Sequence, residues 1–413
     1  MTLLLLLLLP LLTGLLLPLL REGRPGLVRG LAATAALAQL AVGLVAWRQV
    51  PAALTLNWLP KLGLSFDLAL DGLSLPLVLL SALLTAMAVL ASPADQARPR
   101  LYYPLMLATN LGVTGAFLAQ NALLFVLAFE LVLIPTTLLV AIWGGERRAG
   151  AAIRFLLYGA VSGLSLLGGV LAFGWLGQGA AGAATAVDFS FQALGATPLP
   201  PSAQAWVLAL LLLGFGLKLP VVPLHGWQPF AYGQAPAPVV MLLGGAVSKL
   251  GAYGLLRFGV GLLPDAWVAF SPWIAAAGAV SAVYGALNAI GATDIRRLMA
   301  YSSLGHMGLL VLALAAATPL SLQGVMAQVI AHGLIVALLF ACVELIQRKT
   351  GTTVIAELSG LLNPIRGLPF TMALLLLALM AAAGIPGLAG FPAELLVFEG
   401  SWTVFPRATL VCL

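Results

Sequence analysis

Glu130 stands in the apolar run NALLFVLAFELVLIPTTLL, near the middle of a stretch long enough to cross a bilayer. At that depth an unpaired carboxylate costs about 2.5–3.5 kcal/mol even on lenient insertion scales, so it needs a counter-charge or a proton. Lys218 precedes Pro220 in GFGLKLPVVPLHGW, where the proline interrupts the helix and freed backbone groups can solvate an ammonium. Lys249, in MLLGGAVSKLGAYGLLRF, lies about ten residues into its helix, too deep to snorkel easily. His306 in SSLGHMG and His332 in VIAHGLIVALLF carry imidazoles, whose chemistry suits proton hand-off. Glu394 follows a second interruption, AGIPGLAGFPAELLVF. Groups of these types inside apolar spans point to proton movement. Glu130 and Lys218 read as a switchable pair, in which approach holds the proton on the lysine and separation releases it. The expected line runs Glu130, Lys218, Lys249, His332, Glu394, with His306 as a further relay group and a half-channel at each end.

Each residue also has a plainer reading. A membrane carboxylate can serve packing alone, Lys218 or Lys249 can snorkel to an interface, and a lone membrane histidine is often a helix-to-helix hydrogen bond. His225 lies past the first interruption and nearer a loop, while Glu344 and Glu399 lie toward span ends, where solvated carboxylates are ordinary.

Positioning such groups requires membrane helices, and the composition supplies them. The 413 residues are 62% hydrophobic and 8% charged, against about 25% charged in soluble domains. Apolar runs recur along the whole length, at 2–20, 27–47, 73–91, 102–118, 122–143, 153–176, 205–219, 239–262, 267–290, 301–317, 322–346 and 370–383, the last continuing irregularly to 404. The fold class expected is all-α, a polytopic membrane helix bundle of about 12 spans, in a single transmembrane domain over 1–413. The run at 2–20 lacks a basic leader and a small-residue cleavage site, which marks it as a retained first helix.

The net charge of +6 does not indicate nucleic acid here. Arg21, Arg24, Arg29, Arg98, Arg100, Arg147, Arg148, Arg154, Arg296, Arg297, Arg348, Lys349 and Arg366 share one face if the helices alternate. That bias places their loops in the cytoplasm, with the longer connections 48–72 and 177–204 opposite. The two interruptions lie about five spans apart, the pattern of inverted repeats with an ion site at the broken helices. On that reading 1–100 holds N-terminal helices, 101–262 the first antiporter-like repeat and 263–413 the second, cut short. Cys342 and Cys412 lack metal-ligand spacing, and the chain has no GxGxxG before a strand, no GxxxxGK[ST] and no CxxC pair. No cofactor or metal is expected on this chain.

Several longer stretches resemble a known family: DGLSLPLVLLSALLT (71–85), FELVLIPTTLLVAIWGGERR (129–148), KLPVVPLHGWQP (218–229), QAPAPVVMLLGGAVSKLGAYGLLRF (234–258), ATDIRRLMAYSSLGHMG (292–308) and GIPGLAGFPAELLVFEGSW (384–402). They are similar to the antiporter-like subunits of respiratory complex I, in particular chain 4, the M-type subunit, and its cyanobacterial and plastid relatives. The resemblance implies a proton-translocating membrane subunit of an NAD(P)H- or ferredoxin-driven quinone or plastoquinone oxidoreductase. It implies FMN, iron-sulfur clusters and quinone in other subunits, with membrane and hydrophilic subunits and the lipid bilayer as partners. The implied location is a cyanobacterial thylakoid, otherwise a bacterial inner membrane. Glu130, Lys218, Lys249 and Glu394 match the family's key ionisable positions. The alternative it leaves is a subunit of a multi-subunit cation/proton antiporter without redox coupling; a second is a non-pumping structural copy. Where the family shows an acid and a histidine after a WLP turn, this chain has WQP followed by Phe230 and Tyr232, so a polar loop contact is expected to be missing. The family's fourteen spans imply that this chain, ending at Leu413, is a truncated or divergent copy.

Overall fold

The computed structural model describes residues 1–413 except 22, 51 and 179–186, so part of the 177–204 connection lies outside the described residues. Leucine and alanine runs without polar competition for the backbone form helices wherever the bilayer demands internal hydrogen bonding. In chain order these are α1 (Thr2–Leu16), α2 (Pro25–Ala46), α3 (Ser74–Ala91), α4 (Pro99–Leu118), α5 (Ala122–Leu131), α6 (Leu133–Trp143), α7 (Arg148–Gln178), α8 (Phe191–Ala196) and α9 (Pro201–Lys218). There follow α10 (Gln228–Gln234), α11 (Ala237–Leu242), α12 (Lys249–Gly254), α13 (Pro264–Ile290), α14 (Ile295–Ala316), α15 (Pro319–Thr350), α16 (Pro369–Ala382), α17 (Gly390–Trp402) and α18 (Pro406–Cys412). Among the described residues, 11 helices are long and apolar enough to cross a membrane, counting Ala122–Trp143 and Ala237–Val260 as single spans. The twelfth expected span is the shorter α16, which ends where Gly384 and Gly387 take left-handed φ values of 63° and 93°. That turn and the following α17 are the second interruption; the first is the turn between Lys218 and Gln228.

The helical class holds with one addition, in the segment read as a plain 48–72 connection. An antiparallel hairpin forms there from β1 (Ala52–Leu59) and β2 (Leu64–Leu70), Thr55 opposite Asp67. Leu64, Leu68 and Leu70 are buried, so the strand's two-residue period places them on one covered face. Helix-length hydropathy windows average that alternation away, which is why it was not expected.

The chain divides into two compact units, residues 1–139, 156–218 and 253–269 in the first and 140–155, 219–252 and 270–413 in the second. In the first unit the N-terminal helices share a buried polar network. Gln39 donates to Leu6 O (2.8 Å) and Thr114 Oγ1 (3.2 Å) and accepts from Asn110, whose Oδ1 accepts from Ser81 (2.7 Å). With no competing water in the hydrocarbon, these bonds set the register of α1 to α4. Asn121 caps α5 at Leu123 N (3.0 Å) and Leu124 N (3.2 Å) while donating to Gly63 O (2.9 Å) in the hairpin turn.

Asp71, between the hairpin and α3, accepts from Leu73 N (3.0 Å) and Ser74 N (2.8 Å) and pairs with Arg257. Burial alone would raise its carboxyl. The hydrogen bond from Arg257, the Ser74 N–H and the guanidinium charge outweigh burial and hold it below the usual carboxylate range. A depressed folded pKa contributes stability that is present above the unfolded value near 3.9 and lost as pH falls through the folded one. Asp71→Asn is therefore expected to lower stability at pH 7 by about 1–2 kcal/mol, the side chain being 30% exposed. Thermal unfolding in detergent checks this: the gap between variant and wild type should close as pH drops below about 4, and a constant gap would refute the charge account.

In the second unit α15 and α17 meet at backbone distance. A Cβ on Gly324 would lie 2.7 Å from Val397 N, and one on Gly400 would lie 2.3 Å from Ser321 N. Small residues at such crossings let helices approach closely. Arg296, read as a loop charge, is instead buried (7% exposed), donating to Gln347 Oε1 (2.9 Å) and to Ala235 O. Asp294, which caps α14 by accepting from Arg296 N (2.9 Å), starts the helix early enough to carry Arg296 inside. Beside Phe230, where a polar loop contact was expected to be missing, the Arg154 guanidinium lies 3.7 Å from the ring centroid. A cation–π contact occupies that place.

Candidate functional site

Two assemblies of ionisable side chains lie at span depth, one in each unit. In the first unit Glu130 sits in the last turn of α5, two residues before the irregularity at Val132 that separates α5 from α6. Its carboxylate rests against Gly163 of α7, where an added Cβ would lie 2.0 Å from Oε1. Lys218 is the last residue of α9, only 3% exposed, and interacts electrostatically with Glu130. Its Nζ lies 4.6 Å from the Phe129 ring centroid. Phe129 packs on Phe215 (6.2 Å between centroids) and Phe125 (5.9 Å), and Phe125 on Phe258 (5.2 Å). This aromatic floor keeps the pair in a low dielectric, where the Coulomb attraction of two unit charges is several-fold larger than in water.

In the second unit Lys249 is fully buried at the first turn of α12. The preceding segment Leu243–Val247 is a π-helix, with Ser248 N donating to Leu243 O (3.0 Å). The wider turn releases the Gly244 carbonyl from its usual partner, and Lys249 Nζ donates to it (2.7 Å). On its other side Nζ lies 2.6 Å from His332 Nδ1. The His332 ring is 5.5 Å from that of His306. His306 Nε2 lies 2.9 Å from Ala382 O and 3.3 Å from Glu394 Oε1, and its Nδ1 lies 2.8 Å from Ser302 O. Both His306 nitrogens face acceptors, so the ring is satisfied only when both carry hydrogen. A small cavity of about 10 Å³ touches His306, Gln328, His332 and Glu394. His332 Nε2 and Gln328 Oε1 are buried there without a protein hydrogen-bond partner. The Glu394 carboxylate rests against Gly384 of the second interruption, where an added Cβ would lie 2.3 Å from Oε2.

Of the residues singled out in the sequence, Glu130 and Lys218 thus come together, and so do Lys249, His332, His306 and Glu394. His306 stands between His332 and Glu394, a place the expected line left empty. His225 joins neither group: it lies in the first interruption with its ring 4.8 Å from Tyr284, and burial pushes its pKa below the ordinary imidazole range. Glu344 pairs with Arg348 one turn on (2.8 Å), and Glu399 is exposed. Phe129, Gly163, Gly384 and the π-helical turn went unnoticed in the sequence. The only signals were an aromatic residue next to Glu130 and the GG pair before Lys249.

Residues 119–412 match the family described as NADH:quinone oxidoreductase/Mrp antiporter, TM, which takes in every residue of both assemblies. The chain belongs to that family. With 11 helices long and apolar enough to cross a membrane among its described residues, it is a multi-span membrane protein. It is 40% identical over 403 residues to NAD(P)H-quinone oxidoreductase chain 4 2 of Thermosynechococcus vestitus, covering 95% of this chain and 73% of that one. It is 42% identical over 343 residues to NAD(P)H-quinone oxidoreductase chain 4 1 of a Synechococcus species, covering 83% and 63%. The chain thus spans between three fifths and three quarters of the length of these relatives. Among solved structures it is similar to a chain of respiratory complex I from Thermus thermophilus, with a TM-score of 0.89 and 30% identity over 100% of this chain and 85% of that one.

Proposed function

We propose that this chain is the proton-translocating, antiporter-like subunit of an NAD(P)H- or ferredoxin-driven quinone oxidoreductase, in a thylakoid or bacterial plasma membrane. Electron carriers belong to other subunits, and this chain contributes ionisable side chains alone. The observation that carries the reading is the contiguous series Lys249, His332, His306, Glu394, which runs from a fully buried ammonium to the second helix interruption. A proton leaves Lys249 Nζ for His332 Nδ1, the imidazolium gives up its Nε2 proton into the small cavity, and Glu394, positioned there by the His306 ring between them, accepts it. The Glu130 and Lys218 pair in the first unit holds or releases its own proton according to how tightly the two charges are held together. The inverted repeats expected from the two interruptions belong to the same reading.

The family description also covers Mrp antiporters, which makes redox-free cation/proton exchange the second reading. A single preparation separates them. The tagged chain is purified from its native membrane, its co-purifying subunits are identified by mass spectrometry, and the assembly is reconstituted in vesicles carrying a pH-sensitive dye. Acidification driven by NAD(P)H or reduced ferredoxin with a quinone is the expected result. A pH change driven by a sodium or potassium gradient alone would overturn it in favour of the antiporter.

A further inference from the structure

Within the first unit, the connection from α1 to α2 and that from α3 to α4 border a cavity of about 670 Å³ that neither ionisable assembly uses. Its lining includes Arg21, Arg24, Arg98 and Arg100 against one carboxylate, Asp95; Glu22 lies outside the described residues. Guanidiniums are planar forks that bind phosphate oxygens in pairs. Two spans of 22 and 20 residues, α2 and α4, begin at this cavity, and neither N-terminus is capped by a side chain. The positive ends of the two helix dipoles add to the potential set by the arginines. Pro18, Val28 and Leu101 complete the lining, and beside it Leu16 (60%), Leu19 (79%) and Leu27 (44%) expose apolar surface.

A purely polar anion would engage the arginines alone and not the leucines. A phospholipid uses both, and basic pockets between transmembrane helices on the positively charged side suit anionic headgroups. We propose that this cavity binds the phosphodiester headgroup of an anionic glycerophospholipid, with its acyl chains laid along the leucines of α1 and α2. The charge bias that assigns these loops to the cytoplasm puts the lipid in the cytoplasmic leaflet.

The intact assembly is equilibrated in phosphatidylcholine bilayers doped with phosphatidylglycerol and then washed in mild detergent. Retained lipids are counted by mass spectrometry. Wild type is expected to keep phosphatidylglycerol and lose phosphatidylcholine. Arg24→Gln/Arg98→Gln is expected to bind on the order of five-fold more weakly for each guanidinium lost, and Arg24→Lys/Arg98→Lys, which keeps the charge but not the fork, falls between it and wild type. Excess inorganic phosphate should leave the lipid in place. Equal retention by wild type and the Gln double variant, equal retention of the two lipids, or displacement by inorganic phosphate each overturns the proposal. If the double variant fails to purify, Arg21→Gln and Arg100→Gln, measured singly, carry the same comparison.

Discussion

Lys218→Met is expected to reduce driven proton translocation to background, a loss of at least about ten-fold, in an assembly that still forms and still passes electrons. Methionine, one atom shorter, keeps an unbranched apolar stem but loses the ammonium that faces Glu130 and lies over the Phe129 ring. What remains is a carboxylate at span depth without its counter-charge, at a cost of about 2.5–3.5 kcal/mol. Glu130→Gln should stop translocation as well, leaving the ammonium unopposed over the aromatic floor. The informative variant is the double one. Glu130→Gln/Lys218→Met has no buried charge left at this site, so its stability should return most of the way to wild type, as expected when both members of a buried pair are replaced together. Its translocation should stay at background. Protons moved per electron and the midpoint of thermal unfolding, measured on all four proteins, separate the two effects. Translocation in the double variant at the wild-type rate would remove Glu130 and Lys218 from the mechanism and leave them as a structural pair.

Membrane residence and the ionisable residues were legible in the sequence for a single reason. Hydrocarbon penalises charge so heavily that each Lys, Glu or His inside an apolar run stands out against its neighbours. Their association was legible only as an order: the expected line set Glu130 beside Lys218 and Lys249 beside His332, whereas nothing in the sequence places His306 against Glu394 or gives the contact between Lys249 and His332, 83 residues apart, because those depend on how the helices cross. The π-helical turn before Lys249 was hidden for a different reason: its extra residue per turn depends on packing, and LLGGAV reads equally well as α-helix. The pairing of Asp71 with Arg257 spans 186 residues and joins a loop to a span end, two places where a charge raises no alarm. The charge bias marked the basic face as a whole, yet it could not tell buried Arg296 from the cavity-lining Arg24 and Arg98.

Both acidic side chains of the site are seated against a glycine, and this yields a test that alters no ionisable group. An added Cβ on Gly163 would lie 2.0 Å from Oε1 of Glu130 and 2.2 Å from its carboxyl carbon, far inside contact distance. The nearest atoms belong to the free end of a side chain, so the carboxylate moves and α7 stays where it is. Alanine also favours a helix over glycine by about 1 kcal/mol, which offsets part of the crowding. Gly163→Ala is therefore expected to assemble and unfold close to wild type while Glu130 is pushed off its seat by about 1 Å, a misplacement that can cost roughly ten- to hundred-fold in a positioned reaction. Gly163→Val, with two further carbons, should abolish translocation. Gly168, on the same helix, supplies the control, since a Cβ added there would meet nothing within 4 Å: Gly168→Ala should translocate at the wild-type rate. Protons moved per electron across the three variants decide the matter. Undiminished translocation in Gly163→Ala would mean that the position of the Glu130 carboxylate is irrelevant, whatever its charge contributes. Loss in Gly168→Ala would show that α7 tolerates no added side chain, and the effect at Gly163 would then say nothing about the acid.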